Sequence, residues 1–325
     1  MQQPKFLIAR FSSIGDIIMS APVVQALRSH YGDQAQIDFI TLDKFKDAAS
    51  LIAGIDTIHT VEKSTSEISG GLKNLGYNYL IDLHSNIRSR SLARALNIVT
   101  FRVKKMNPKR IALVLGINKK PVEHFIDRTL DLLEAFSIKE NKSNPWGEIN
   151  SSSPEVELPE SYIAIAPGAT YEGKQIPETT LNAICTEIDS KFVVVGGDDI
   201  VDLGNRLSEK FPKKVIDLCG KLSLDETAHI MKYARVAVGG DTGVMHLATA
   251  VGTRLVSVWG CTRPSLGLAP WKANPQSKII IPQGRGSRPC SRHGDKCRFK
   301  RLGKDLCINH VSPDLVVSAV RDLIK

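Results

Sequence analysis

At 325 residues with 42% hydrophobic content, the chain can form two α/β domains of ordinary size, each with its own core, which excludes a disordered or fibrous protein. No apolar run approaches 18 residues, and the first ten residues hold only four apolar residues between charges, so neither a spanning helix nor a signal peptide is expected and the cytoplasm is the expected compartment. The formal charge of +9 is unevenly spread, with no acid over residues 83–122 but Arg88, Arg90, Arg94, Arg102, Lys104, Lys105, Lys109, Arg110, Lys119 and Lys120, and a second basic block from Arg285 to Lys304, which suggests an anionic partner: a phosphorylated glycan, an anionic membrane surface or nucleic acid.

Phe6-Leu-Ile-Ala9 reads as a first parallel strand, and Arg10-Phe-Ser-Ser-Ile-Gly-Asp16 as the loop leading to a helix through Pro22–Arg28. Loops at the carboxyl ends of such strands line ligand crevices, so Asp16 lies where chemistry happens; its position reads equally well as a helix cap. Ile37–Thr41 is a second strand, Phe45–Ile52 a helix, and Asp56–Val61 a third strand. Tyr79-Leu-Ile-Asp-Leu83 follows as a buried strand with His84-Ser-Asn-Ile-Arg88 in the loop after it. His124-Phe-Ile-Asp-Arg128 begins another helix, and residues 139–159, rich in Asn, Ser and Pro, have linker composition, placing a domain boundary near residue 157.

Tyr162–Ala166 opens the second half as a strand, and its loop, Pro167-Gly-Ala-Thr-Tyr-Glu-Gly-Lys174, combines small residues with a point charge suited to a pyrophosphate. Phe192–Gly197 is a strand entering a turn, after which Asp198, Asp199 or Asp202 can accept from ribose hydroxyls. No Gly-x-Gly-x-x-Gly opens a helix, which disfavours a dinucleotide dehydrogenase. Ser223 and Glu226 form a capping box for a helix through Tyr233.

The most informative stretch is Val238-Gly-Gly-Asp-Thr-Gly-Val-Met-His-Leu-Ala-Thr-Ala-Val-Gly252, a strand end, a turn and a helix start. Asp241 and Thr242 are ordinary N-cap residues, but a helix start is also a phosphate site, and His246 in the first turn opposes the dipole unless an anion is near. Arg254–Trp259 is the next strand. Cys185, Cys219 and Cys261 read as core residues; Cys290, His293, Cys297, Cys307 and His310 form a loose cluster whose spacings fit no compact zinc module, so no metal is expected. Val311–Lys325 closes the chain as a capped amphipathic helix.

The run Gly-Gly-Asp-Thr-Gly-Val-Met-His-Leu-Ala, followed by Ala-Val-Gly-Thr and Val-Ser-Val-Trp-Gly-Cys-Thr, resembles the signature of the lipopolysaccharide heptosyltransferases, glycosyltransferase family nine. The resemblance implies an α/β chain of two Rossmann-like domains facing across a cleft, the GT-B type: an acceptor-side domain over 1–157, a nucleotide-sugar domain over 158–310, and a terminal helix over 311–325 packing back toward the first domain. Phe-Ser-Ser-Ile-Gly-Asp matches the family's Ser-x-Gly-Asp motif, which makes Asp16 the catalytic base. Ser13, Thr170, Lys174, Leu222, Asp241, Thr242, Gly243, Val244 and His246 become donor-site candidates, Leu222 against the adenine. Asn86, Arg88, Arg90, His124 and Arg128 become acceptor-site candidates. Where the family has Lys-Arg-Trp-Pro this chain has Lys174-Gln-Ile-Pro177, keeping the lysine and proline only.

The expected reaction moves heptose with inversion from ADP-L-glycero-β-D-manno-heptose to the inner core of lipopolysaccharide. A carboxylate, ionised at neutral pH, takes the acceptor proton while Lys174 and the helix start meet the charge of the departing diphosphate. No cofactor or metal is required, ADP-heptose being a substrate, and the basic run would meet the acceptor's phosphates or the anionic inner leaflet, on whose cytoplasmic face the protein would be peripheral. A family-nine transferase with another donor or acceptor is the first alternative. The second, a non-catalytic nucleic-acid binder, lacks stacking aromatics interleaved with its basic residues, and only 6% of the chain is aromatic.

Overall fold

A computed structural model describes residues 3–138 and 142–325. By Cα proximity the chain divides into two units, Met1–Lys105 with Phe125–Asn150, and Met106–His124 with Ser151–Lys325. Composition suggested one crossing near residue 157, whereas the chain passes between units after Lys105, His124 and Asn150. The 106–124 excursion joins the second unit through Val122 N–H to the Ser265 carbonyl and Arg110 Nε to the Leu266 carbonyl, with Leu113, Val122 and Leu266 packed together. Of the linker-like stretch, residues 139–141 lie outside the described residues. Further on, Trp146 is buried and Ile149 bridges Ile52.

In the first unit, β1 (Lys5–Ala9), β2 (Gln36–Leu42), β3 (Thr57–Val61), β4 (Tyr79–Asp82) and β5 (Val99–Arg102) form a parallel sheet in the order β3-β2-β1-β4-β5. The helices are α1 (Ile14–Ile18), α2 (Ala21–Tyr31), α3 (Lys46–Ser50), α4 (Ser69–Asn74) and α5 (Ile87–Leu96), then α6 (Asn107–Leu115) in the excursion and α7 (Phe125–Leu130). The central strand reads as an unbroken apolar run because a parallel sheet with helices on it is buried on both faces; Phe6, Leu7, Ile8 and Ala9 are all 0% exposed. β5 and α6 have no counterpart among the elements expected from the sequence, although α6 carries Pro108 in its first turn and Gly116 at its C-cap.

In the second unit, β6 (Tyr162–Ala166), β7 (Lys191–Val194), β8 (Val215–Asp217), β9 (Val236–Gly240), β10 (Leu255–Val258) and β11 (Lys278–Ile280) form another parallel sheet, ordered β11-β10-β9-β6-β7-β8. Its helices include α8 (Glu178–Glu187), α9 (Val201–Lys210), α10 (Leu224–Tyr233), α11 (Gly243–Ala250) and α12 (Pro313–Ile324). The Ser223–Glu226 capping box on α10 forms as expected, Ser223 N–H donating to Glu226 Oε2 at 2.8 Å. Each sheet thus continues from strand to helix with its ligand-facing loops after the strands, as an open α/β fold requires.

The resemblance implied that the terminal helix packs toward the first domain. In the structure α12 lies along α8 and touches β9, β10 and β11, burying Val316, Val317, Val320 and Leu323 in the core of the second unit. Its apolar stripe is used there, and Arg321 adds an ion pair to Glu187 on α8. Leu323→Ala is expected to cost about 2–4 kcal/mol, the usual range for an emptied core site, read as a lowered urea midpoint at unchanged slope; a loss below about 0.5 kcal/mol would contradict this packing.

Candidate functional site

In the first unit, the loop after β1 gathers around Arg10, which is 9% exposed. Arg10 Nε donates to the Ser12 carbonyl at 2.7 Å, Nη1 to the Leu83 carbonyl at 2.6 Å, and Nη2 pairs with Asp16 Oδ2 at 2.6 Å. The same carboxylate oxygen accepts from Ser13 N–H at 3.3 Å and Ser13 Oγ at 3.2 Å. Asp16 therefore serves the start of α1, as a cap would, while its charge is held by an arginine whose other donors are committed to backbone. The two readings of Asp16 left open by its position are compatible.

The loop after β4 is set by Asp82, fully buried at the strand end. Its Oδ1 accepts from the His84 and Ser85 amides at 3.0 and 2.7 Å, and its Oδ2 from Ser89 Oγ at 2.8 Å and Arg102 Nε at 2.6 Å. Asn86 caps α5, accepting from Ser89 N–H at 2.9 Å. Arg88 donates twice to the Lys63 carbonyl and covers the Phe11 ring, and Arg90 is exposed. Asn86 and Arg88 line a shallow depression with Lys63, Ser64 and Thr65.

The expected His-x-x-x-Arg pair divides between the units. His124 belongs to the second, where its Nε2 meets the Ala269 carbonyl at 2.8 Å and its ring stacks near Trp271. Arg128 belongs to the first, 5% exposed, with Nη1 on the Lys104 carbonyl and its guanidinium over Phe125.

In the second unit the loops after β6, β9 and β10 converge. Lys174 Nζ pairs with Asp241 Oδ2 at 2.8 Å, and Thr262 Oγ1 donates to the same oxygen at 2.7 Å. The approach needs bare backbone: a Cβ on Gly240 would stand 2.5 Å from the Lys174 carbonyl oxygen, and one on Gly260 would stand 2.0 Å from that of Gly173. Gly239, where a Cβ would make only ordinary contacts of 3.7 Å and more, is not held to glycine by this approach; Gly240 at the end of β9 is. Arg263, 1% exposed, donates to the Gly260 and Thr262 carbonyls and fixes the last of these loops.

At the start of α11, Thr242 occupies the N-cap without a side-chain cap bond, and its buried hydroxyl has no hydrogen-bond partner among the described residues. Helix-start amides left uncapped carry the positive end of the dipole. Gly243 and Val244 are half-exposed beside it, and His246 is 4% exposed in the first turn. Thr170 is exposed in the loop after β6, and Leu222 packs partly against the core before α10. The donor candidates Lys174, Asp241 and Thr242 are thus brought together, whereas Ser13 lies in the first unit with Asp16.

Sequence reasoning missed Arg10, Asp82, His84 and Thr262 as positioning residues, although Arg10 directly follows the β1 run and Thr262 ends the quoted signature. His84 Nδ1 accepts from the Phe11 amide at 3.3 Å. Burial first, then the charges of Arg10 and Lys105, push its pKa down to about 4. The folded state keeps this imidazole neutral while the unfolded chain protonates it near 6.5, so stability falls as pH drops through that window toward 4. Urea midpoints at about pH 7 and about pH 5 should separate less in His84→Gln than in the wild type; an equal separation would contradict the assignment.

Lipopolysaccharide heptosyltransferase 1 of Campylobacter coli is 24% identical, the match covering 98% of this chain and 98% of the relative. Lipopolysaccharide heptosyltransferase 3 of Escherichia coli is 20% identical over 80% of this chain and 84% of its own length. Among solved structures, a family 9 glycosyl transferase from Veillonella parvula superposes with a TM-score of 0.78 at 16% identity, covering 100% of this chain and 98% of that one. E. coli ADP-heptose lps heptosyltransferase II gives 0.71 at 17% identity, covering 98% of each chain. The two-sheet α/β fold is of the GT-B type, as the resemblance implied. The profile of glycosyltransferase family 9 (heptosyltransferase) matches residues 67–299, and the chain belongs to that family.

Proposed function

We propose that the protein transfers heptose from ADP-heptose to an inner-core sugar of lipopolysaccharide, inverting the anomeric centre. The observation that carries the donor half is the Lys174–Asp241–Thr262 contact beside the uncapped start of α11 and the partnerless Thr242 hydroxyl. A lysine, a hydroxyl and free amides aimed at one place suit a diphosphate, whose charge grows as the glycosidic bond breaks. Asp241, a carboxylate, then acts by holding Lys174 rather than by touching the phosphates, while Gly243, Val244 and His246 complete the cradle. The ADP-bound E. coli heptosyltransferase WaaC, superposing with a TM-score of 0.67 at 16% identity over 98% of this chain and 99% of that one, supports the choice of nucleotide.

Asp16 is the base in this reading. Arg10 and Ser13 hold its carboxylate in place, and it takes the proton of the attacking hydroxyl. Asn86, Arg88 and Arg90 face acidic groups of the acceptor. His124 and Arg128, spent on backbone carbonyls and rings, position their surroundings. No helix among the described residues is long and apolar enough to cross a membrane. On α6 and beyond it, exposed Ile111, Leu115 and Ile117 stand among Lys109, Lys119 and Lys120, a combination suited to an anionic leaflet. We place the protein on the cytoplasmic face of the membrane that holds its acceptor.

The direct test is turnover of ADP-heptose with truncated core acceptors, after a thermal-shift screen of nucleotide sugars. Asp16→Asn should lower turnover by about 100-fold or more, within the range of general-base catalysis, and leave ADP affinity within about threefold. Near-normal turnover would remove Asp16 from the mechanism. Lys174→Met should weaken ADP binding by about tenfold or more, near 1.4 kcal/mol, by calorimetry; unchanged affinity would remove the cradle.

A further inference from the structure

Residues 281–312, between β11 and α12, contain only two short 3-10 turns, Lys300–Leu302 and Cys307–His310. A segment this long without regular structure needs something other than a backbone ladder to hold it. Yet Cys297, Leu306, Cys307 and Ile308 within it are buried in the core of the second unit. The sulfurs of Cys261, Cys290, Cys297 and Cys307 lie within 4.8 Å of one another, Cys290 to Cys307 at 3.3 Å and Cys297 to Cys307 at 3.9 Å. A tetrahedron built on metal–sulfur bonds of about 2.3 Å has edges of roughly 3.8 Å. All six cysteines of the chain are free thiols.

We propose that Cys261, Cys290, Cys297 and Cys307 hold a thiophilic metal ion of the zinc or iron class, which ties residues 290–307 to the end of β10 behind Lys174. Four sulfur ligands in tetrahedral array select these ions over magnesium or calcium. The closed set leaves no open position, so the ion is structural. Binding releases the four thiol protons, and a divalent ion leaves the site with two negative charges. The Arg298 amide donates to the Cys290 sulfur, and the Arg298 and Lys300 side chains act on the cluster through their charge. Part of the Arg285–Lys304 basic block thereby has a partner inside the protein.

The spacing rule missed this because the fourth ligand comes from another strand end. Cys261 reads from sequence as a core residue, and within 290–310 the cysteine spacings look too wide; the fold supplies Cys261 where the sequence reading considered His293 and His310. His310 instead meets Arg285. The strut also reaches the donor loop. Cys261 N–H donates to the Gly173 carbonyl at 2.9 Å, Cys290 N–H to the Cys261 carbonyl at 2.7 Å, and Gly294 lies so close to Lys174 that a Cβ there would stand 2.7 Å from its Cε. The ion fixes the wall against which the lysine stem rests.

Protein purified without chelator and under reductant should contain about one zinc or iron ion per chain by mass spectrometry of the metals, which also says which of the two is bound. All six thiols should titrate after denaturation and metal release. Cobalt reconstitution should show the visible bands of tetrahedral thiolate coordination. Less than about half an ion per chain after anaerobic loading with zinc and with iron(II), or a thiol count reduced by disulfides, would overturn the site. These measurements use the wild-type chain, so a Cys297→Ser variant that fails to fold does not blunt them. The bracing of Lys174 rests on the donor reading: stripping the ion from folded protein should weaken ADP binding by about tenfold, and unchanged affinity with the metal shown to be gone would overturn the brace while leaving the site.

Discussion

The contact that draws three loops of the second unit together is the ion pair of Lys174 with Asp241, closed by the Thr262 hydroxyl. Three strand ends must come within a few ångströms of one another for it to form. Gly240 and Gly260 permit this by presenting bare backbone where a methyl group would collide with a carbonyl oxygen. The arrangement stores a lysine next to a helix start without leaving its charge unpaired. A buried cation with no partner would be costly, and a carboxylate that can share the lysine with an incoming phosphate is a compensation with a use.

The first unit solves a similar problem in the opposite sign. Asp16 is a carboxylate in the first turn of α1, and Arg10 pairs with it while also donating to the Ser12 and Leu83 carbonyls. Asp82 does equivalent work for the next loop, tying β4, β5 and α5 together through one buried carboxylate. In both loops a charged side chain is fixed by partners from the neighbouring loop or strand. Rigid support of this kind lets a side chain act in one geometry without reorganisation.

Much of this was legible in the sequence where local pattern and local structure coincide. The apolar runs at Phe6–Ala9 and Tyr162–Ala166, the Ser223–Glu226 cap and the Asp241–Thr242 helix start all lie in elements whose residues are adjacent in the chain. What escaped was long-range. Arg10 finds the Leu83 carbonyl 73 residues away, Asp241 finds Thr262, and Cys261 joins three cysteines from a segment that follows another strand. The excursion over 106–124 carries no composition shift because both units draw on the same α/β alphabet. The charge run from Arg88 to Lys120 was visible as a run, but not that Arg102 and Arg110 are committed internally, to Asp82 and the Leu266 carbonyl.

The cradle around Lys174 and the start of α11 is proposed to bind a diphosphate. Parallel calorimetric titrations with ADP and AMP test it most directly, since the two ligands share adenosine and differ in the second phosphate. ADP is expected to bind at least about tenfold more tightly, a difference of about 1.4 kcal/mol. Equal affinities would contradict it.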